Sequence, residues 1–160
     1  ARPKLIVFDL DYTLWPFYVD THVTPPFRKE GTGKIYDRHG KRVNVFPDVP
    51  AMLESLTSQR YLLGLASRTD DPDAARELVT ILDWNKYFPY QEIYPGCKIA
   101  HFKRFHQQTG LPYKQMLFFD DELRNIHDVS TLGVYIAFML NEGMSHGHLE
   151  EGLRRFQEQA

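Results

Sequence analysis

The chain has 160 residues, of which 42% are hydrophobic and 25% are charged, a balance that excludes disordered and collagen-like proteins. Its formal net charge of −2 is too balanced to indicate a nucleic-acid-binding protein. The longest apolar run, 134–140, is much shorter than the ~20 residues that cross a bilayer, and no charged-then-apolar leader opens the chain. We therefore expect a protein that binds neither membranes nor nucleic acids.

The chain contains one cysteine, Cys97, which cannot form an internal disulfide or a cysteine-rich zinc cluster. This composition suits a reducing compartment, so we expect the cytoplasm, with the nucleus as the alternative. The length is that of one domain. We predict a single domain over 1–160 and expect a monomer.

Five short segments rich in β-branched and aromatic residues predict strands that are buried on both faces. In chain order they cover 4–10, 61–66, 92–94, 116–119 and 134–138. Amphipathic helical patterns alternate with these strands from Asp48 to the end, several of them with an Asp or Ser at the start or a Gly after the end. This alternation predicts an α/β fold, a Rossmann-like three-layer sandwich with about five parallel strands.

One stretch, from Trp15 to Pro47, interrupts the alternation and is too long for an ordinary loop between a strand and a helix. Within it, 33–36 and 42–46 flank Asp37-Arg38-His39-Gly40, a pattern typical of a β-hairpin. We predict a small hairpin flap, inserted at about 15–47.

Charged and hydroxyl side chains cluster near the ends of the predicted strands. In chain order they are Asp9, Asp11, Ser67, Arg68, Lys98, Asp120 and Asp121. Ligands of open α/β sheets bind beyond the carboxyl ends of the strands. We therefore expect these side chains to form one site.

Four carboxylates in one site repel one another, since two unit charges 4 Å apart interact at roughly 4 kcal/mol when the effective dielectric constant is near 20. Oxygen ligands without cysteine or paired histidines favour Mg²⁺ as the compensating cation. With Mg²⁺, Lys98 and Arg68 the charges balance, so a phosphate dianion could enter. Asp9 could then attack phosphorus as an ionised carboxylate, and Asp11, with its pKa raised by burial or by neighbouring acids, could protonate the leaving oxygen.

The segment 8–14, with the sequence FDLDYTL, is followed in order by Ser67, Lys98 and the pair Asp120-Asp121. This series resembles the four motifs of the haloacid dehalogenase (HAD) superfamily of phosphatases. The resemblance covers Lys4 to about Tyr135. The small size, with a hairpin in place of a cap domain, resembles the eukaryotic magnesium-dependent members of that superfamily.

The resemblance implies a role for each acidic motif residue. Asp9 would be the nucleophile and a Mg²⁺ ligand. Asp11 would act as the general acid and then as the base, with its backbone carbonyl on the metal. Asp120 would be the third protein ligand, and Asp121 would orient a water at the metal.

The remaining motif residues would bind the phosphoryl group. The resemblance implies that Ser67 and nearby backbone amides hold the phosphoryl oxygens and that Lys98 holds both Asp9 and the phosphate. Arg68, beside Ser67, is a further candidate from its position in the chain. Many relatives carry another acid four or five residues after the Asp pair, whereas this chain has Asn125 in that region.

Structural roles remain open for several of these residues. Asp120 or Asp121 could cap a helix, Ser67 could cap a turn, and Arg68 could form a surface ion pair. Lys103 lies little more than one helical turn after Lys98 and competes with it for the role of the phosphate-binding lysine.

The resemblance also implies an open site that accepts phosphotyrosine on proteins, small sugar phosphates or phosphorylated glycated amines. Between Arg28 and Arg42 there are six basic and two acidic side chains, which could attract an anionic substrate or could form a solvated surface. Trp15 and Tyr18 could contact an aromatic leaving group or could belong to the core.

Two other classes of protein fit part of the pattern. A phosphate-accepting receiver domain also combines acidic Mg²⁺ ligands with a lysine, but it places its acceptor Asp after the third strand and its Lys after the fifth. Here those strands are predicted to end in Pro95-Gly96 and Met139-Leu140. A catalytically silent relative that binds other proteins is the second alternative, although Asp9 and Asp11 are both intact.

Overall fold

The computed structural model describes residues 1–138 and 142–159. The strands are β1 (Leu5–Phe8), β2 (Arg28–Lys29), β3 (Ile35–Tyr36), β4 (Arg42–Val43), β5 (Leu62–Ser67), β6 (Tyr90–Ile93), β7 (Met116–Asp120) and β8 (Tyr135–Phe138). The helices are α1 (Val49–Ser58), α2 (Pro72–Ile81), α3 (Lys98–Thr109), α4 (Leu123–Ser130) and α5 (His146–Glu158), with a 3₁₀ turn at Tyr113–Gln115. The predicted end of the fifth strand at Met139-Leu140 lies outside the described residues.

A five-stranded parallel sheet in the order β6-β5-β1-β7-β8 forms the centre of the protein. In chain order of these strands this is 3-2-1-4-5, the Rossmann type, so the predicted α/β fold is confirmed. Receiver domains of the flavodoxin-like type have the order 2-1-3-4-5. The sheet order therefore contradicts the receiver alternative.

The middle strand, β1, is buried on both faces, as its continuous apolar sequence predicts. Its alternate residues enter two separate clusters of buried side chains. Ile6 and Phe8 pack on the side that contains α1, α2 and α5, while Leu5 and Val7 pack with Phe102 of α3 on the other side. The protein thus has the three layers that the alternating pattern predicts.

Helix capping agrees with the sequence patterns. Asp71 accepts a hydrogen bond from the backbone N–H of Ala74 at the start of α2, and Ser145 accepts one from His148 at the start of α5. Gly110 ends α3 with a φ of 72°, the left-handed conformation that glycine adopts without strain. No helix within 1–138 or 142–159 combines the length and the apolar character needed to span a bilayer.

The flap differs from the predicted hairpin because it has three antiparallel strands, β2-β3-β4, of two residues each. The strand β2 could not be predicted from the sequence, because Arg28 and Lys29 are both exposed and have no apolar alternation. The backbone N–H of Phe27, just before β2, donates to Glu77 Oε2 of α2 over 2.6 Å. This contact fixes one end of the flap to the body of the protein.

That the flap is an insertion at about 15–47 in a single domain stays a prediction.

The buried face of α4 also differs from the predicted one. The helical spacing of Leu123, Ile126 and Val129 predicts that all three face the core, but Leu123 is 69% exposed. Asn125 is buried instead. The reason lies in the site, because the Asn125 side-chain amide donates to the carboxylate of Asp120 at the end of β7.

Candidate active site

A buried lysine connects the ends of the two neighbouring strands β1 and β7. Lys98 Nζ donates to Asp9 Oδ1 over 2.8 Å and to Asp120 Oδ2 over 2.9 Å. The lysine side chain is only 1% exposed. Lys103, the competing lysine of the same helix, is exposed. The structure therefore places Lys98, and not Lys103, among the acids.

Asp120 is held in one orientation by both of its oxygens. Oδ1 accepts the backbone N–H groups of Asp121, over 2.7 Å, and Glu122, over 3.1 Å. Oδ2 accepts the side-chain amide of Asn125 over 2.8 Å in addition to Lys98. Asp120 therefore has two roles. Its Oδ1 holds the start of α4, and its Oδ2 binds Lys98 in the site.

Asp9 and Asp11 lie in a tight turn that follows β1. The turn is closed by the N–H groups of Thr13 and Leu14, which both donate to the carbonyl of Leu10. Tyr12 has a φ of 57°, a conformation that is uncommon outside glycine and that turns the chain sharply. Asp9 and Asp11 consequently line the same cavity although the backbone between β1 and Tyr12 bends.

Asp11 is fixed by the segment that follows it. Its Oδ1 accepts the indole N–H of Trp15 over 2.8 Å and the backbone N–H of Val19 over 3.0 Å. The indole of Trp15 is itself fully buried and stacks on Phe17. Trp15 therefore serves the core and orients Asp11 at the same time, while Tyr18 is 51% exposed at the mouth of the cavity.

The loop after β5 brings a hydroxyl and a cation to the same cavity. Ser67 is buried, and its Oγ accepts the backbone N–H of Thr69 over 3.3 Å. Arg68 lies 3.6 Å from Glu122 in a partly exposed ion pair. Both side chains line the cavity. Arg68 thus forms a surface ion pair and also lies beside Ser67 in the site.

The cavity has a volume of about 390 Å³ and opens at the carboxyl edge of the sheet. Its lining includes all the predicted site residues except Asp120, which is fully buried behind it. Two further residues belong to the site although no sequence motif indicated them. The hydroxyl of Thr13 donates to Asp9 Oδ2 over 3.3 Å, and Glu122 accepts a hydrogen bond from Asn125 over 3.2 Å. The position of Thr13, four residues after Asp9 in the same turn, was the available signal.

The acids of the cavity carry more negative charge than the lysine can balance. Burial raises the pKa of Asp9 well above its usual value, against the opposing effect of Lys98, and the nearby Asp120 raises it further. Burial, together with the charge of Asp120, raises the pKa of Asp121 to about 7. The Asp120 and Asp9 carboxylates raise the pKa of Lys98 even though burial opposes this. Lys98 is thus a firmly held cation in a site with excess anions.

Three carboxylates converge closely enough to hold a metal ion. One oxygen each from Asp9, Asp120 and Asp121 can be chosen so that all three lie within 4.8 Å of one another. These hard oxygen donors fit Mg²⁺, and a divalent ion would offset the mutual repulsion of the carboxylates. This set includes the carboxylate of Asp121. The HAD resemblance instead implies that Asp121 orients a water at the metal and that Asp11 binds the metal through its backbone carbonyl.

A buried histidine supports the loop that precedes Lys98. His101 Nε2 lies 3.0 Å from the carbonyl oxygen of Tyr94, and the two rings stack with their centroids 4.3 Å apart. The backbone N–H of Tyr94 donates to the carbonyl of Ser67 over 3.0 Å. His101 therefore helps to join the start of α3 to the end of β5. Burial lowers its pKa from 6.5 to about 4.

This shift makes the stability of the protein depend on pH. Below pH 6.5 the unfolded chain protonates His101, while the folded protein keeps it neutral down to about pH 4. The contribution of the neutral His101 to the free energy of unfolding is therefore complete above pH 6.5 and is lost as the pH falls towards 4. Between pH 7 and pH 5 we expect the free energy of unfolding to fall by about 2 kcal/mol more in wild type than in His101→Gln. Urea denaturation of both proteins at the two pH values measures the difference. Parallel stability curves for the two proteins would contradict a buried neutral histidine.

The comparison with known families and proteins gives a consistent result. Residues 1–159 match the model of a family described as Acid Phosphatase. The chain is 52% identical over 154 residues to human Magnesium-dependent phosphatase 1, covering 96% of this chain and 87% of that protein. It is 41% identical over 143 residues to a HAD-like hydrolase superfamily protein of Schizosaccharomyces pombe, covering 82% and 83% of the two chains.

Solved structures show the same fold at low sequence identity. A HAD-superfamily hydrolase from Ehrlichia chaffeensis superposes with a TM-score of 0.69 at 10% identity, over 99% of this chain and 98% of that chain. A phosphatase domain from Bacteroides fragilis, complexed with Mg, superposes with a TM-score of 0.59 at 15% identity, over 84% of this chain and 35% of that chain.

Proposed function

The chain belongs to the Acid Phosphatase family of HAD-type hydrolases and is a magnesium-dependent phosphatase, and we propose that its Asp9 forms an aspartyl-phosphate intermediate. The observation that carries the proposal is the position of Asp9, which lies in the cavity with one oxygen bound by Lys98 and the other by Thr13. The resemblance stated from the FDLDYTL segment is confirmed at the level of the superfamily.

In the first proposed step, a carboxylate oxygen of Asp9 forms a bond to phosphorus while the bond from phosphorus to the leaving oxygen breaks. Lys98 keeps one oxygen of Asp9 in place and supports its charge, although burial raises the pKa of the carboxyl. Thr13 restrains the second oxygen through a longer, weaker contact of 3.3 Å. The carboxylate is therefore positioned before the substrate arrives.

Asp11 supplies the proton in this proposal. Burial raises its pKa, against the hydrogen bonds from Trp15 and Val19, so the protonated form is more accessible than for a solvated aspartate. The leaving oxygen takes the proton of Asp11 as its bond to phosphorus breaks. A water molecule then loses a proton to Asp11 and attacks phosphorus, the bond to Asp9 breaks, and inorganic phosphate is released.

The other predicted site residues bind and neutralise the phosphoryl group. Ser67, at the end of β5, can donate its hydroxyl proton to a phosphoryl oxygen, since its Oγ acts as the acceptor in its hydrogen bond with the backbone N–H of Thr69. Arg68 can reach a phosphoryl oxygen if it exchanges its ion pair with Glu122. Mg²⁺ held by Asp9, Asp120 and Asp121 would neutralise charge on the phosphoryl oxygens.

Phosphotyrosine on proteins is the substrate that the mouth of the cavity supports best. Tyr12 and Tyr18 meet edge to face with centroids 4.8 Å apart, and Tyr18 stacks on His22 at 5.6 Å. A phenolic leaving group entering the open cavity could pack against these rings. Sugar phosphates and phosphorylated glycated amines remain the second choice, because they would use the phosphate contacts but not the aromatic rings.

Metal dependence tests the proposed site directly. We expect hydrolysis of p-nitrophenyl phosphate with Mg²⁺ and its loss with EDTA, and a Mg²⁺ concentration for half-maximal activity at least about tenfold higher in Asp121→Asn. Asp20→Asn, which changes an exposed acid of the same cavity, is the control and should match wild type. Equal Mg²⁺ requirements for all three proteins would remove Asp121 from the metal site.

A further inference from the structure

A second groove lies beside the active-site cavity and shares one wall with it. It has a volume of about 350 Å³ and runs between the segment after β1 and strand β4 of the flap. Tyr12 lines both cavities. A molecule whose phosphoryl group occupies the active site could therefore pass the Tyr12 ring and place another group in this groove.

The chemistry of the groove differs from that of the acidic site. Pro16, Phe17 and Val23 contribute an apolar part of its lining. Lys41 and Arg42 contribute exposed cationic side chains. The groove thus suits an anionic group carried on a short apolar stem. The carboxylates around Asp9 would repel such an anionic group from the acidic site itself.

The two cations of the groove have free capacity to bind an anion. Lys41 Nζ donates to the carbonyl oxygen of His22 over 2.9 Å, and an ammonium has two further donors. Within 1–138 and 142–159, no carboxylate oxygen lies within 4.0 Å of the charged nitrogens of Lys41 or Arg42. Elsewhere in the flap, Arg28 is paired with Glu30.

The flap's buried acid holds the groove together instead of neutralising it. Asp37 Oδ1 accepts the backbone N–H groups of His39 and Lys41, each over 2.9 Å, and Oδ2 accepts that of Thr24 over 3.0 Å. These bonds tie the hairpin turn to the segment that forms the opposite wall. Together with the contact from Lys41 to His22, they form the groove before any ligand binds, which lowers the entropic cost of binding.

We propose that this groove is a second anion-binding subsite for the substrate, with Lys41 and Arg42 as its specificity-determining residues. It binds a carboxylate or a second phosphate that the substrate carries near the phosphoryl group to be removed. The proposal rests on the proposed removal of the phosphoryl group at Asp9 and adds that doubly anionic substrates are preferred. The anion could come from an acidic residue next to a phosphotyrosine or from the other end of a sugar bisphosphate.

The test compares Lys41→Ala/Arg42→Ala with the control Lys103→Ala/Lys114→Ala, which removes the same charge from two exposed lysines elsewhere. The substrates are p-nitrophenyl phosphate, a phosphotyrosine peptide with Glu or with Gln neighbours, and a hexose bisphosphate or monophosphate. We expect the groove variant to lose about three- to tenfold in kcat/KM on the Glu peptide, the bisphosphate or both. Its activity on the singly anionic substrates should match wild type, and the difference should shrink at high salt.

The substrate that shows the loss identifies the source of the second anion. An equal loss on the singly anionic substrates, or no loss on either doubly anionic substrate, would overturn the subsite. If wild type hydrolysed none of the compounds with Mg²⁺, the phosphatase function would fail by itself. Fluorescence anisotropy with Glu and Gln peptides would then test the groove separately, and equal binding of both peptides by wild type would refute it.

Discussion

Asp9→Asn should lower kcat for p-nitrophenyl phosphate by about four to six orders of magnitude, because the variant loses the carboxylate that we propose as the nucleophile. An amide in place of the carboxylate keeps the volume of the side chain and one oxygen near Lys98, which retains its second partner, Asp120. The fold should therefore survive. Circular dichroism and single-turnover kinetics with Mg²⁺ check both expectations.

Asp20→Asn provides the matched control for this experiment. Asp20 lines the same cavity but is exposed, so the substitution removes one negative charge from the site without touching the buried network. Activity within a few-fold of wild type is expected. Turnover by Asp9→Asn at a rate comparable with this control would refute the aspartyl-phosphate mechanism.

Lys98→Met should impair stability and activity together. Removing the ammonium leaves the carboxylates of Asp9 and Asp120 buried without their cation, which costs about 3–5 kcal/mol when one partner of a buried pair is removed. Loss of a cation that contacts both Asp9 and the proposed phosphate position should also lower kcat by at least about 10²-fold. Urea denaturation and steady-state kinetics measure the two effects.

Lys103→Met is the natural comparison, since it makes the same substitution at an exposed position of the same helix and should behave like wild type. Mg²⁺ should restore part of the stability of Lys98→Met, because a divalent cation can offset the same carboxylates. A Lys98→Met protein as stable and as active as Lys103→Met would show that Lys98 only fills space.

The convergence of the acids could be predicted because it follows from connectivity. In a parallel sheet the carboxyl ends of the strands share one edge, so Asp9 after β1 and Asp120 at the end of β7 must be neighbours once β1 and β7 pair. The choice between Lys98 and Lys103 could not be made from spacing. It depends on which face of α3 packs against the sheet, and the structure turns Lys98 inward.

Two other features could not be predicted from local sequence patterns either, because they also depend on tertiary packing. The polar side chain of Asn125 replaces Leu123 on the inner side of α4 because Asp120 offers it a buried partner. The strand Arg28–Lys29 forms through backbone pairing with Ile35–Tyr36 and has no apolar side chain to reveal it. In both cases a contact between segments outweighs the preference that the residues show alone.

The amino-acid sequence alone predicts the α/β class, the approximate position of the flap and the set of acids at the strand ends, since periodicity and chain order constrain these features. Tertiary structure determines how the charges are paired: Lys98 reaches partners 89 and 22 positions away in the chain. It also leaves Lys41 and Arg42 facing a groove beside the acids, with Asp37 engaged by backbone N–H groups. Such pairings depend on desolvation and distance in the packed protein, and neither quantity exists before the chain has folded.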